Sequence, residues 1–363
     1  MKNPAPKTGF AAKAALLAAA VAAGGAAFYA YRAFTPAPPA VQEIPEIVFA
    51  RHGGRQELTE RYERGRAEAE ADWGERQAQV RLLDGLGAVD SLEILPLVEM
   101  SAAPGLLAEP GVAYLLRAGG KTILFDLGLN EGDGPSPLLH NMEKLGVKKE
   151  RLTDIFISHS HRDHVGGRRW EERGTFAFGH SQPPLPGVKI YTPVPLSYPG
   201  SSPVHAENPA VLAPGVATIG AIGTFDYFTG MINEAALAVN VKGKGIVLVV
   251  GCGHQGVEKL VARCRKLFRE PLYAVVGGLH YPVSGSRLKI RGVDVQKYFG
   301  TGRPPWVPVT LADVRKGIKA LKAEGVKLVS VSPHDSCDAA LGEFRAAFPA
   351  EWRELTAGEP IRI

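Results

Sequence analysis

Cysteine is scarce in this chain, because its 363 residues include only three, too few for a disulfide framework. A strong charge of one sign is also missing: 42 Lys and Arg stand against 37 Asp and Glu, a formal net charge of +5. We therefore expect no nucleic-acid partner. The 45% hydrophobic and 22% charged residues exclude a globally disordered or collagen-like chain. The 42 Gly and 28 Pro favour an enzyme with many loops over a helical bundle.

One uncharged run of 18 residues, 14–31, lies near the N-terminus between Lys13 and Arg32. A helix of this length just spans a bilayer, and lysines before it direct the rest of the chain out of the cytoplasm. We predict a signal-anchor in a bacterial inner membrane, with the catalytic domain in the periplasm. Two alternatives stay open. Small residues around Gly25 would suit a signal peptidase, which would release a soluble periplasmic protein, and the run could also be a buried soluble helix.

Changes in composition predict three segments. Residues 1–41 are the membrane anchor and a Pro-rich spacer, 42–90 a charged helical segment, and 91–363 the catalytic domain. Within the middle segment, opposite charges four residues apart and a thin apolar stripe predict a helix over 55–83. This helix is expected to pack on the main domain or on a second copy in a homodimer, and a position on the membrane surface is the alternative.

From residue 91 onward, strand and helix patterns alternate, which predicts an α/β layered sandwich. The predicted strands are 91–98, 112–116, 122–125, 155–157, 236–241, 245–250, 272–276 and 326–331. The predicted helices are 138–145, 255–268, 311–324 and 338–348. The intervening residues 181–230, rich in Pro and Gly, are predicted to be irregular.

Metal-ligand side chains are concentrated in one short loop after a hydrophobic strand. His159 and His161 are two residues apart and can chelate one ion, whereas Asp163 and His164 are adjacent, diverge, and suit a second ion. Imidazole and carboxylate ligands suit Zn, Fe or Mn. Four ligand-type side chains within six residues have no packing purpose, so we predict a metal site.

The segment 159–164 resembles the His-x-His-x-Asp-His signature of the metallo-β-lactamase-fold hydrolases. The resemblance implies a four-layer αββα sandwich with one or two divalent metal ions, zinc first and iron or manganese as alternatives. Asp126 ends the preceding strand, where that superfamily has an aspartate that orients a metal-bound histidine.

Further short motifs resemble those of the subgroup named for dihydropterin-ribofuranosyl-aminobenzene-phosphate synthase, and the resemblance covers roughly residues 92–340. These motifs are residues 109–113, 141–146, 251–256, 277–280 and 332–334. Pro110 and Ala113 stand where that subgroup is expected to have His and Ser, and 334–337 also departs from its pattern. These departures lie near the expected substrate pocket, so the resemblance does not fix the substrate.

The resemblance also implies roles for distant residues. His254 and His334 would be metal ligands, and Cys252 occupies the place of a bridging aspartate. His280 would be a ligand or a catalytic proton donor, and Asp163 would both bind metal and hold the proton of the hydroxide. The remaining His180 and His205 are predicted to be loop residues and Cys264 a core residue.

The predicted function is a membrane-anchored hydrolase that acts through a metal-bound hydroxide. A mononuclear-iron oxygenase of the same fold and a non-catalytic metal-binding scaffold are the alternatives. The basic loop 281–308, with Arg287 and Arg291, predicts a small anionic substrate: a phosphate ester, a lactone or a thioester. The alternative is that the loop 281–308 is solvated and its charges have no role in substrate binding.

Overall fold

The computed structural model describes residues 54–284, 289–290, 293–294 and 296–363. The predicted membrane segment 14–31 and the two arginines Arg287 and Arg291 lie outside the described residues. No helix in the described part of the chain is both long enough and apolar enough to cross a membrane.

The helices and strands are numbered in chain order. The helices are α1 (Arg55–Gln79), α2 (Pro137–Lys144), α3 (Arg168–Glu171), α4 (Val257–Leu267), α5 (Leu311–Glu324) and α6 (Asp338–Ala347). The strands are β1 (Leu92–Val98), β2 (Ala113–Ala118), β3 (Lys121–Phe125), β4 (Asp154–Phe156), β5 (Lys189–Thr192), β6 (Val204–His205), β7 (Ala210–Ala213), β8 (Val216–Thr218), β9 (Ile222–Asp226), β10 (Gly230–Glu234), β11 (Leu237–Val241), β12 (Gly245–Val250), β13 (Leu272–Gly277), β14 (Lys289–Ile290), β15 (Val293–Asp294), β16 (Leu328–Val331) and β17 (Ile361–Arg362).

Two large sheets form the body of the protein. The first has the strand order β17-β1-β2-β3-β4-β5-β6 and the second the order β16-β13-β12-β11-β8-β7. Strands β9 and β10 form a hairpin, as do β14 and β15. In the first sheet β3 to β6 are parallel, and in the second β12, β13 and β16 are parallel. Parallel strands end at the same edge of a sheet, so the loops after them can converge on one site.

The main core lies between the two sheets. It contains Ile94, Tyr114 and Phe125 from the first sheet, packed with Val239 and Val247 from the second. Alternate residues along each strand point to opposite faces, so each sheet also buries an outer face.

Helices cover these outer faces. Leu138 and Met142 of α2 pack on the first sheet, whereas Val257 of α4, Ile318 of α5 and Phe344 of α6 pack on the second. The described layers are therefore helices, sheet, sheet and helices, the mixed α/β arrangement that the resemblance implied.

Most predicted elements of 91–363 are present within one to three residues of their expected ends. The prediction of an irregular 181–230 was wrong, because this region contains β5 to β9. These strands are only two to five residues long and are separated by Gly and Pro. Segments this short do not show the two-residue periodicity by which a strand is recognised.

Helix α1 begins at Arg55 as predicted and ends at Gln79, four residues before the predicted end. It packs on the main body, since Leu58, Tyr62 and Ala69 are buried. A Cβ at Gly65 would collide with the ring of Phe225 in β9, so the helix lies in close contact with that strand.

Candidate metal centre

The loop after β4 and three distant loops bring the predicted ligands together. His159, His161 and His254 form one group, whose ligand atoms all lie within 4.8 Å of one another. Nε2 of His159 is 3.1 Å from Nδ1 of His161. His254 follows β12, so the convergence depends on the parallel strands that end at this edge.

A second group contains Asp163, His164, Cys252 and His334, again with ligand atoms within 4.8 Å of one another. The Cys252 Sγ lies 3.0 Å from His164 Nε2 and 3.3 Å from His334 Nε2. Cys252 therefore lies where the resemblance placed a bridging residue. Burial raises the pKa of its thiol.

His280 joins the centre through a third group, with Cys252 and His254. Its Nε2 lies 2.8 Å from the carbonyl oxygen of Phe299, to which it donates as the Nε2–H tautomer, so Nδ1 is left as an acceptor. Burial lowers the pKa of His280 to about 4, so the ring is neutral at pH 7. This geometry suits a ligand or acceptor better than the predicted proton donor.

The other histidines and cysteine named from the sequence lie elsewhere. His180 contacts the carbonyl oxygen of Gly134, and His205 that of Pro193. Cys264 is buried in the core between the second sheet and its helices.

Asp126 orients His164 through Nδ1, the ring nitrogen that faces away from the centre. Its carboxylate accepts hydrogen bonds from the backbone N–H and the hydroxyl of Ser158, both at 2.7 Å, and lies 2.7 Å from Nδ1 of His164. His164 thus donates from Nδ1, and its Nε2 faces the centre, where a metal ion would replace the Nε2 proton. Burial alone would lower the pKa of His164, but Asp163 and Asp126 outweigh it and raise the pKa to about 9.

Two buried glutamates that the sequence analysis missed hold the surrounding backbone. Glu234 accepts three hydrogen bonds, from the backbone N–H groups of Cys252, Gly253 and His254 at 2.8 to 2.9 Å. Glu99 also accepts three, from the backbone N–H of Met100 at 2.9 Å and from the hydroxyls of Tyr114 and Ser332 at 2.8 and 2.6 Å. Burial raises the pKa of each glutamate to about 7.

Ser332 connects Glu99 to the metal centre. The Ser332 hydroxyl donates to Glu99. Its oxygen lies 2.5 Å from Nδ1 of His334 and accepts a hydrogen bond from it, so His334 keeps Nε2 for the centre. The sequence signal for Glu99 was an acidic residue directly after the predicted strand 91–98, whereas Glu234 is the last residue of β10 and had no comparable signal.

The residues fit a divalent metal ion. In the described part of the chain, the buried Nε2 of His254 has no hydrogen-bond partner, and Nδ1 lies 2.7 Å from the carbonyl oxygen of Gly300. Burial lowers the pKa of His161 to about 4 and that of His334 to about 3, and it lowers the pKa values of His159 and His254 well below the ordinary range. Neutral imidazoles with free lone pairs are the state that binds metal.

A family model described as the metallo-beta-lactamase superfamily matches residues 107–170, which include the whole motif 159–164. Residues 107–170 are thus similar to the metallo-β-lactamase superfamily. With the ligand groups around it, this match supports a metallohydrolase, as predicted.

Two individual proteins are similar to this chain over about three quarters of its length. The chain is 25% identical over 327 residues to 7,8-dihydropterin-6-methyl-4-(beta-D-ribofuranosyl)-aminobenzene-5'-phosphate synthase of Methanocaldococcus jannaschii, covering 78% of this chain and 100% of that protein. The solved structure of Tm1679, a metal-dependent hydrolase of the beta-lactamase superfamily, matches with a TM-score of 0.51 at 20% identity. It covers 75% of this chain and 99% of the other, and it shows the fold of the metallo-β-lactamase domain.

Proposed function

We propose that this protein is a membrane-anchored, metal-dependent hydrolase of a small anionic substrate, with a phosphate ester first and a lactone or thioester as alternatives. The observation that carries the proposal is the pair of adjacent ligand groups, His159/His161/His254 and Asp163/His164/Cys252/His334. Their mixture of imidazoles, a carboxylate and a thiol suits zinc, with iron or manganese as alternatives.

The chain's own side chains define where a substrate would approach. His161, Asp163 and His280 are partly exposed, whereas the other residues of the ligand groups are buried. Bound divalent ions would lower the pKa of a water and stabilise the negative charge that develops on the substrate oxygen. Asp163, with 26% of its side-chain surface exposed, would accept a hydrogen bond from the attacking water and orient it.

A screen of phosphodiester, phosphomonoester, lactone and thioester substrates with the purified full chain tests the proposal. Hydrolysis of one class that depends on bound metal supports it. Iron as the bound metal together with oxygen consumption would instead favour the mononuclear-iron oxygenase.

An anionic substrate predicts a role for Arg287 and Arg291. Arg303 makes two hydrogen bonds to the Asp313 carboxylate, at 2.6 and 2.9 Å. Burial alone would raise the pKa of Asp313, but these bonds and those from Thr310 outweigh it and lower the pKa to about 2. Because Arg303 is already paired with Asp313, we assign substrate capture to Arg287 and Arg291. Replacing both by Glu is expected to raise KM several-fold with metal content unchanged, because a basic rim concentrates anions.

The matched control for these arginines reverses two exposed charges of the same sign, Lys242→Glu with Arg269→Glu. This control should keep the parent KM, although its net charge changes equally. Added salt should lower the parent kcat/KM, because exposed charges are screened. The loop 281–308 would have no role in substrate capture if the Arg287/Arg291 variant had the parent KM and the parent kcat/KM did not change with salt.

The proposed location rests on the uncharged run 14–31 between Lys13 and Arg32. A topology reporter fused after Ile363 is expected to be active in the bacterial periplasm and inactive in the cytoplasm. The reverse pattern would contradict the proposed location. A mature protein that begins near residue 28 would show that the segment is a cleaved signal peptide.

A further inference from the structure

Two histidines of the metal centre are held by one turn of backbone. His254 lies 2.7 Å from the carbonyl oxygen of Gly300, and His280 lies 2.8 Å from that of Phe299. Gly300 has a φ of 72°, and a Cβ there would lie 2.5 Å from Cε1 of His254 and 2.9 Å from Cε1 of His280. The turn 299–302 is therefore pressed against both rings and fixes which nitrogen of each carries the proton.

Helix α1 holds the same turn from the other side. The hydroxyl of Tyr62 donates a hydrogen bond of 2.8 Å to the carbonyl oxygen of Gly302. The tyrosine is only 3% exposed and Gly302 is half-buried, so this bond is partly shielded from water. In addition, Phe299 stacks on Phe228 with ring centroids 4.9 Å apart. Arg61 of α1 donates to the carbonyl oxygen of Phe228 at 3.0 Å.

Close packing fixes the position of α1 along its length. Gly65 allows the helix backbone to approach the Phe225 ring, where a Cβ would collide. At the far end of the helix, Arg76 pairs with Glu207 at 2.5 Å, and Gln77 accepts a hydrogen bond from Arg263 at 2.7 Å. The contact at Gly65 places Tyr62 beside the turn, whereas Arg76 and Gln77 attach the opposite end of the helix to the body of the protein.

We propose that α1 is a brace for the metal centre, with Tyr62 as the positioning residue that holds the turn 299–302 against His254 and His280. This inference rests on the proposed metal-dependent function. It assigns the charged N-terminal helix a role in metal affinity, beyond its contribution to stability. Loss of a direct hydrogen-bond partner of a metal ligand lowers metal affinity by about 10- to 100-fold. Tyr62 acts one residue further out, so a smaller effect follows.

The test uses Tyr62→Phe in the full chain, because this change keeps the ring and removes only the hydroxyl. The dissociation constant for zinc, measured by competition with a chromophoric chelator, is expected to rise about three- to tenfold. Gly65→Ala keeps the Tyr62 hydroxyl but displaces the helix from Phe225, which moves Tyr62 away from the turn, so it is expected to weaken zinc binding in the same direction.

Arg76→Gln is the matched control, because it loosens the same helix at the end far from the turn. It should lower the melting temperature while the zinc dissociation constant stays within twofold of the parent. Parent-like zinc affinity in Tyr62→Phe would overturn the brace, and so would an equal loss of affinity in Arg76→Gln. A parent that binds no zinc, iron or manganese would overturn the proposed function together with the brace, a result distinct from the other two.

Discussion

The variant His161→Ala is expected to lose bound metal and hydrolytic activity together. His161 supplies one of three imidazoles in its group, with His159 and His254, and Ala offers no replacement donor. The loss should exceed the ~10- to 100-fold that a hydrogen-bond partner of a ligand contributes, because a direct ligand is removed. Metal content per chain, measured by elemental analysis of the purified full chain, and hydrolysis of the best substrate are the two measurements.

His205→Ala is the control for His161→Ala, since it removes an imidazole whose contact is the Pro193 carbonyl oxygen, away from the centre. It should retain the metal content and activity of the parent. Equal metal content in His161→Ala and the parent would refute the assignment of His161 as a ligand.

The second large effect is expected for Asp126→Asn. The carboxylate accepts from the backbone and hydroxyl of Ser158 and holds Nδ1 of His164 at 2.7 Å. An amide has one acceptor oxygen and one donor nitrogen, so it cannot satisfy all three contacts. Metal affinity should therefore fall about 10- to 100-fold, as for other hydrogen-bond partners of metal-binding histidines.

Isothermal titration of the metal-free full chain with zinc checks the Asp126 prediction. Asp90→Asn serves as the control, because it makes the same chemical change at a side chain that is 92% exposed. Asp90→Asn should titrate like the parent. An Asp126→Asn protein with parental zinc affinity would mean that His164 does not need this carboxylate.

The local part of the metal centre could be predicted from the sequence because its residues are neighbours in the chain. His159 to His164 occupy one loop, and their spacing alone separates two pairs of ligands. His254 and His334 are about 90 and 170 residues further on. They were placed by resemblance, and the structure brings them in because β12 and β16 run parallel to β13 and end at one edge.

The supporting residues were not predictable in the same way. Glu234 accepts hydrogen bonds from the backbone of 252–254, and the carbonyl oxygens of Gly300 and Phe299 contact His254 and His280. A pattern of side chains in the sequence does not record contacts made by the backbone. Glu99 reaches the centre through Ser332, over 233 positions in the sequence. Such contacts depend on how the sheets pack, so a single sequence carries only a weak signal of them.

Metal removal and restoration in the full chain tests the central claim most directly. The purified protein would be stripped with a chelator, then titrated with zinc, iron or manganese while bound metal and hydrolysis of the substrate panel are followed. Hydrolysis should disappear with the metal and return in proportion to the ions bound at the centre. Hydrolysis that continues at the parental rate in the metal-free chain, or a chain that takes up none of these ions, would contradict the account.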